Sequence, residues 1–171
     1  VVLFMKIPMW PFKQKNNEIK YIKKSFGQFL SPKLIEDVLS SNIDIPELHE
    51  KEIEYLFILA KEGLRTNQII SDVLDIISNY EGMVESITGP FIVVLYGVPL
   101  PQPNAKEKRQ RLTDELLSKF EDSVSIVHGN TTCRVGTVGN KSRFAYTAMI
   151  PSYKEKLKIL SSLEYGNQVE P

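Results

Sequence analysis

The chain has 171 residues, 42% of them hydrophobic and 25% charged, which is enough to bury one core and leave room for an appendage. Lysine plus arginine number 21, as do aspartate plus glutamate, so a formal net charge of zero supplies no field for gathering nucleic acid or acidic substrates. A single cysteine, Cys133, excludes an intramolecular disulfide and fits a reducing cytosol, and two histidines, His49 and His128, are too few for a zinc cluster.

The first residue is valine, which predicts a fragment or a processed chain. The apolar run Val1 to Phe12 is broken by Lys6, Pro8 and Pro11 and falls short of the roughly 20 apolar residues a bilayer-spanning helix needs. Residues 1–16 are therefore expected to be a tail or the end of a truncated membrane segment, with Trp10 and the following lysines at the interface. Residues 17–48 read as a helical linker. It is broken near Ser31-Pro32, where serine fits an N-cap and proline the first helical turn. The lysines at 13, 15, 20, 23 and 24 read as a solvated face.

The domain itself is assigned to residues 49–171. Glu52 to Ala60 predicts a strand apolar on both sides, hence central and covered. Thr66 is expected to cap a helix reaching about Tyr80, with a wide stripe from Ile69 to Ile77. Met83–Thr88 and Phe91–Tyr96 form a hairpin around Gly89-Pro90, and the prolines from 99 to 103 an extended connector. Lys106 to Glu121 predicts an amphipathic helix whose run Lys106 to Arg111 is its solvated face. Strands are expected at Ser123–His128, Thr132–Val138 and Arg143–Ile150, divided by Gly129-Asn130 and Gly139-Asn140. His128 and Cys133 read as strand packing residues, and a last helix begins near Pro151-Ser152. Strand pairs alternating with helices in this order predict an α+β, ferredoxin-like βαββαβ sheet with helices packed on one face.

Several segments in sequence order carry a resemblance. Phe26-Gly-Gln-Phe-Leu-Ser-Pro32 is similar to the F-x-x-Y-x-S-P helix that precedes class III adenylate/guanylate cyclase catalytic domains in many bacterial members. Pro46 to Phe57 resembles their lead-in and first strand, and Gly89 to Pro99 their metal-binding hairpin with its trailing F-G-x-P. Val127-His-Gly129, Gly136-Thr-Val-Gly139 and Arg143-Phe-Ala-Tyr-Thr147 resemble the I-H-x-G, G-x-x-G and R-x-x-Y-T signposts. The resemblance covers roughly residues 26 to 160, and its strength lies in the order of the matches.

The resemblance implies six side-chain roles. Two aspartates hold two metals that activate the ribose hydroxyl and steady the triphosphate. A lysine and a partner read the base, an asparagine orients the ribose, and an arginine stabilises the transition state. The metal positions fall on Leu59 and Pro90, the base-reading positions on Ser86 and Pro151, and the last two on Lys154 and Lys158. None keeps the family residue: leucine and proline offer no oxygen ligand to a hard cation, and lysine lacks the planar fork of arginine.

These substitutions predict a catalytically degenerate cyclase-like domain with no catalytic residues, no metal and no cofactor, acting in signalling by dimerisation or regulation. Its expected partner is a second copy or another cyclase-like domain, with no nucleic acid, and with a membrane involved only through an upstream segment. The expected location is the cytoplasm, on the inner side of any membrane-anchored parent. Two alternatives are an active nucleotidyl cyclase (a phosphorus–oxygen lyase) with ligands displaced to Glu54, Glu62, Glu85 or Asp72, and a regulatory module that binds nucleotide without turnover. In the latter, Lys154 and Lys158 are the candidate phosphate contacts. The segment from Leu59 to Gly82 and the C-terminus both look short for the family.

Overall fold

A computed structural model describes residues 48–139 and 144–171, together with the single positions Lys33, Glu36, Asp37 and Ser40. Those four are helical and exposed; the remainder of the predicted tail and linker, and the turn at Asn140, lie outside the described residues.

Strand β1 (His49–Ala60) is the spine, and every residue from Ile53 to Ala60 is buried. Its neighbours explain why. β3 (Phe91–Tyr96) pairs antiparallel on one side and β4 (Val124–Gly139) antiparallel on the other. β2 (Met83–Thr88) lies outside β3, and β5 (Phe144–Met149) outside β4, giving the order β2-β3-β1-β4-β5. Because β3 is antiparallel to both neighbours, β1 and β2 run parallel with β3 between them, which is the split βαβ of the predicted fold.

Each face of β1 feeds a separate core. Leu56, Ile58 and Ala60 pack with α1 (Thr66–Asn79) and α2 (Ala105–Lys119). The buried positions of α1 are Ile69, Val73, Ile76 and Ile77, a stripe at helical spacing. Ile53, Tyr55, Phe57 and Leu59 point the other way, toward Leu157, Ile159 and Leu160 of α3 (Tyr153–Ser162). The helices therefore do not share one face as the sequence pattern predicts, because the odd-numbered residues of β1 are as apolar as the even ones and need their own cover.

The sheet coils far enough for its two edge strands to touch: the Thr147 hydroxyl of β5 donates to a Glu85 carboxylate oxygen of β2 at 3.0 Å. Glu85 sits at an irregularity in the β2–β3 register, between Val84 and Ser86.

Three further expectations are corrected and one short strand is added. Gly129-Asn130 is not a turn but the middle of β4, where Tyr55 lies opposite Gly129. A Cβ on Gly129 would stand 2.8 Å from the Tyr55 hydroxyl, so glycine is there to admit that ring. Thr66 caps no helix N–H. Its hydroxyl accepts from Gly63 N–H at 2.7 Å and bonds the Lys61 and Gly63 carbonyls, tying up the loop before α1. Arg109, placed on a solvated face by its charged neighbours, is 1% exposed. A two-residue strand, β6 (Gln168–Val169), pairs parallel with Ile126 and Val127 along the part of β4 that β5 leaves open.

Candidate functional site

Leu59 lies near the end of β1, in register with Phe91 of β3 and Ser125 of β4. The next backbone amide, Ala60 N–H, donates to the Pro90 carbonyl at 2.9 Å. The hairpin turn that delivers Pro90 needs Gly89 in the left-handed region, at φ +57°. The two positions implied for metal-binding aspartates thus meet at one end of the sheet. Their chemistry does not fit the metal: neither side chain carries a donor atom, and a hard cation needs several oxygens.

The carboxylates that could substitute are dispersed. Glu54 is committed to Arg109, Glu62 is exposed past the end of β1, Asp72 accepts from Gln68 on α1 at 2.8 Å, and Glu85 accepts from Thr147. Among the described residues no group of three or more His, Cys, Asp or Glu side chains is placed to hold a metal ion.

One of the two implied base-reading positions, Ser86, is engaged by Tyr153 of α3. Ser86 stands on β2 opposite Val93, and its hydroxyl shares a hydrogen bond with Tyr153. Tyr153 opens α3 directly after Pro151 and Ser152, and its ring meets Phe57 edge-on at 5.0 Å between centroids. Burial pushes its phenol up from the ordinary value, and the nearby Glu85 charge adds to this. No motif in the sequence marks Tyr153 as a neighbour of β2. Lys154 and Lys158 are exposed one turn apart on α3. Lys156, between them, is engaged, donating to the Pro151 carbonyl at 2.9 Å with its ammonium 5.4 Å from the Tyr55 ring centre.

A second polar assembly, which the sequence did not point to, lies on the α1/α2 side. Arg109 projects from α2 into the sheet. Its Nε stands 2.8 Å from Glu54 Oε2 as an ion pair without hydrogen-bond alignment. Its Nη2 donates to Glu170 Oε1 at 2.8 Å, and its Nη1 lies 2.9 Å from His128 Nδ1. The other imidazole nitrogen, Nε2, is 2.7 Å from Gln168 Oε1. A guanidinium only donates and an amide oxygen only accepts, so His128 is neutral with its proton on Nε2.

Burial is the main cause holding the His128 pKa below its ordinary value, and the Arg109 charge acts in the same direction. Burial pushes Glu54 up against the pull of Arg109, whereas the hydrogen bond from Arg109 holds Glu170 down. The charged run on α2 hid Arg109, since a single buried cation breaks no periodicity.

No family model matches the sequence, and no curated protein sequence does. Solved structures do. The guanylyl cyclase Cya2 aligns over 72% of this chain and 76% of its own, with a TM-score of 0.60 and 17% identity. A bacterial light-regulated adenylyl cyclase aligns over 85% of this chain and 49% of its own, at TM-score 0.61 and 12% identity. A dimeric guanylyl cyclase domain of the RhoGC fusion protein from the aquatic fungus Blastocladiella emersonii aligns over 70% of this chain and 79% of its own, at 0.58 and 10%. Identities this low establish architecture and leave activity open. The chain has the fold of class III adenylyl/guanylyl cyclase catalytic domains.

Proposed function

We propose that this chain is a cyclase-fold signalling domain that makes no cyclic nucleotide and acts by associating with a second copy or with another cyclase-like domain. The observation that carries the reading is the meeting of Leu59 and Pro90 where the resemblance implies two metal-binding aspartates. Without donor atoms there, these two positions cannot hold the metal that would lower the barrier for attack of a ribose hydroxyl on a phosphate. The hydrogen bond between Tyr153 and Ser86 supports the same reading, since it engages one of the two positions implied for base reading. The dimeric state named for the RhoGC domain supports association, and the light-regulated relative supports a place downstream of a sensor. A cytoplasmic site of action agrees with the single, buried Cys133.

The test is titration of the full chain with Mn-ATP and Mn-GTP, following heat and cyclic product, beside sedimentation over a concentration series. The expected result is no product and a concentration-dependent dimer. Turnover that disappears in Glu85→Gln or Asp72→Asn would overturn the reading in favour of displaced ligands. Binding without turnover, lost in Lys154→Ala or Lys158→Ala, would replace it with a nucleotide-binding regulatory module.

A further inference from the structure

α1 ends in a backbone turn that ordinarily belongs to glycine. Glu81 N–H donates to the Ser78 carbonyl and Gly82 N–H to the Ile77 carbonyl, both at 3.1 Å, which closes the helix through a left-handed residue. That residue is Glu81, at φ +58°. Glycine enters this region freely, whereas a residue with a Cβ is strained there. Strain kept at an exposed turn points to a use for the side chain.

The carboxylate joins two other elements. Its Oε2 accepts from Lys108 Nζ of α2 at 2.6 Å, and its Oε1 accepts from Lys33 of the linker. These two hydrogen bonds, Lys108 first, hold the Glu81 carboxyl below the ordinary carboxylate range, so it is charged. Lys33 and Asp37 are both helical and four residues apart, which places them one turn apart on one face. Asp37 lines a groove together with Glu81, Leu100, Gln102, Asn104 and Lys108. The linker thus brings a cation to Glu81 and an anion to the groove that holds Lys108.

The turn is braced from the domain side as well. The Gln102 side-chain amide donates to the Glu81 carbonyl at 3.1 Å, and its oxygen accepts from Gly97 N–H at 2.7 Å. Gly97 directly follows β3, so the connector after that strand and the turn after α1 share one side chain.

We propose that Glu81 is the seat of the linker. A glutamate stands in the place of a glycine because its carboxylate fastens the linker at Lys33 to α2. Through this turn and Gln102 the linker bears on the end of β3. The occupant of the groove is the linker itself, at Lys33 and Asp37. A lone exposed ion pair holds little, but here one carboxylate serves two ammonium groups and both Glu81 and Lys108 are only partly exposed. The inference stands whether or not the chain makes a cyclic nucleotide.

The experiment is amide hydrogen exchange of the full chain beside urea unfolding. Glu81→Gly removes the strain together with the carboxylate, and Glu81→Asn keeps a residue that tolerates the left-handed turn but is short and uncharged. In both, the urea midpoint should hold or rise while the Asp37 and Ser40 amides lose protection by about fivefold, the upper end for an ion pair near the surface. Amides of Phe57 and Val93 should not change. Lys33→Ala should lower protection at Asp37 and Ser40 in the same way and shift the Gly97 amide resonance. Combined with Glu81→Gly it should cost less than the sum of the two single losses.

Asp37 and Ser40 as well protected in Glu81→Gly and Glu81→Asn as in the parent would overturn the proposal. So would strictly additive losses in the double variant, or a Gly97 amide that Lys33→Ala leaves in place. A urea midpoint that falls in both Glu81 variants would assign the carboxylate to the fold and overturn it too.

Discussion

Gly129 shows how one missing side chain can fix a packing arrangement. The Tyr55 hydroxyl occupies the place where its Cβ would be, and the Tyr55 ring also lies 5.5 Å from Phe57 between centroids. Gly129→Ala should destabilise the fold by about 1–3 kcal/mol through overpacking. Tyr55→Phe in the same chain should recover part of that loss, read as a coupling energy in a urea double-mutant cycle. Arg109 makes the opposite case. Its removal in Arg109→Ala would strand the buried Glu54 carboxylate, and a cost of about 3–5 kcal/mol is expected in the same assay. Exchanging both partners, Arg109→Leu with Glu54→Leu, should restore much of it, since a buried pair contributes less than its rupture costs.

At the scale of elements, β1, β2, β3 and α1 were legible from the sequence because each is bounded by residues with one structural meaning. Gly89-Pro90 can only turn, and the apolar run from Ile53 to Ala60 has no polar face to turn outward. Two features were not legible, for physical reasons. Gly129-Asn130 carries the composition of a turn, yet β1 continues opposite it and supplies the missing ladder partner. β6 is two residues long, and its partner, Ile126–Val127, lies far upstream, so no local pattern marks it. Of the implied site, Leu59 and Pro90 lie at the same end of the sheet, joined through the Ala60 N–H to Pro90 carbonyl bond. The sequence could not reveal Tyr153 on Ser86, because no motif marks that contact. The turn into β6 depends on Gly166, at φ +88°, where a Cβ would fall 2.1 Å from the Glu121 carbonyl oxygen. Gly166→Ala should therefore detach the C-terminal segment, seen as faster proteolysis after α3 and lost protection at Ile126.

For the whole molecule, the polar assembly makes stability depend on pH with a definite sign. The folded-state pKa of His128 lies below its ordinary value, so the unfolded chain binds the proton more tightly. Stability is full above about pH 6.5, the ordinary imidazole value, and falls as pH drops through it toward the folded value. Glu54 acts the other way: its folded pKa is raised, so just above the ordinary carboxylate range acidification favours the fold slightly. Urea midpoints measured from about pH 7.5 downward should fall first through the imidazole range, and that first decline should vanish in His128→Gln.

The central place of β1 also bears on how the chain is made. Its residues Ile53 to Ala60 leave the ribosome before either neighbour exists, and Ile58 finds its partner in β4 only at Ile126. During that interval a strand apolar on both faces has two open edges, a template for pairing with other nascent chains. The charged residues at both ends, Glu50, Lys51 and Glu52 before it and Lys61 and Glu62 after it, are placed to limit such pairing until β3 and β4 arrive.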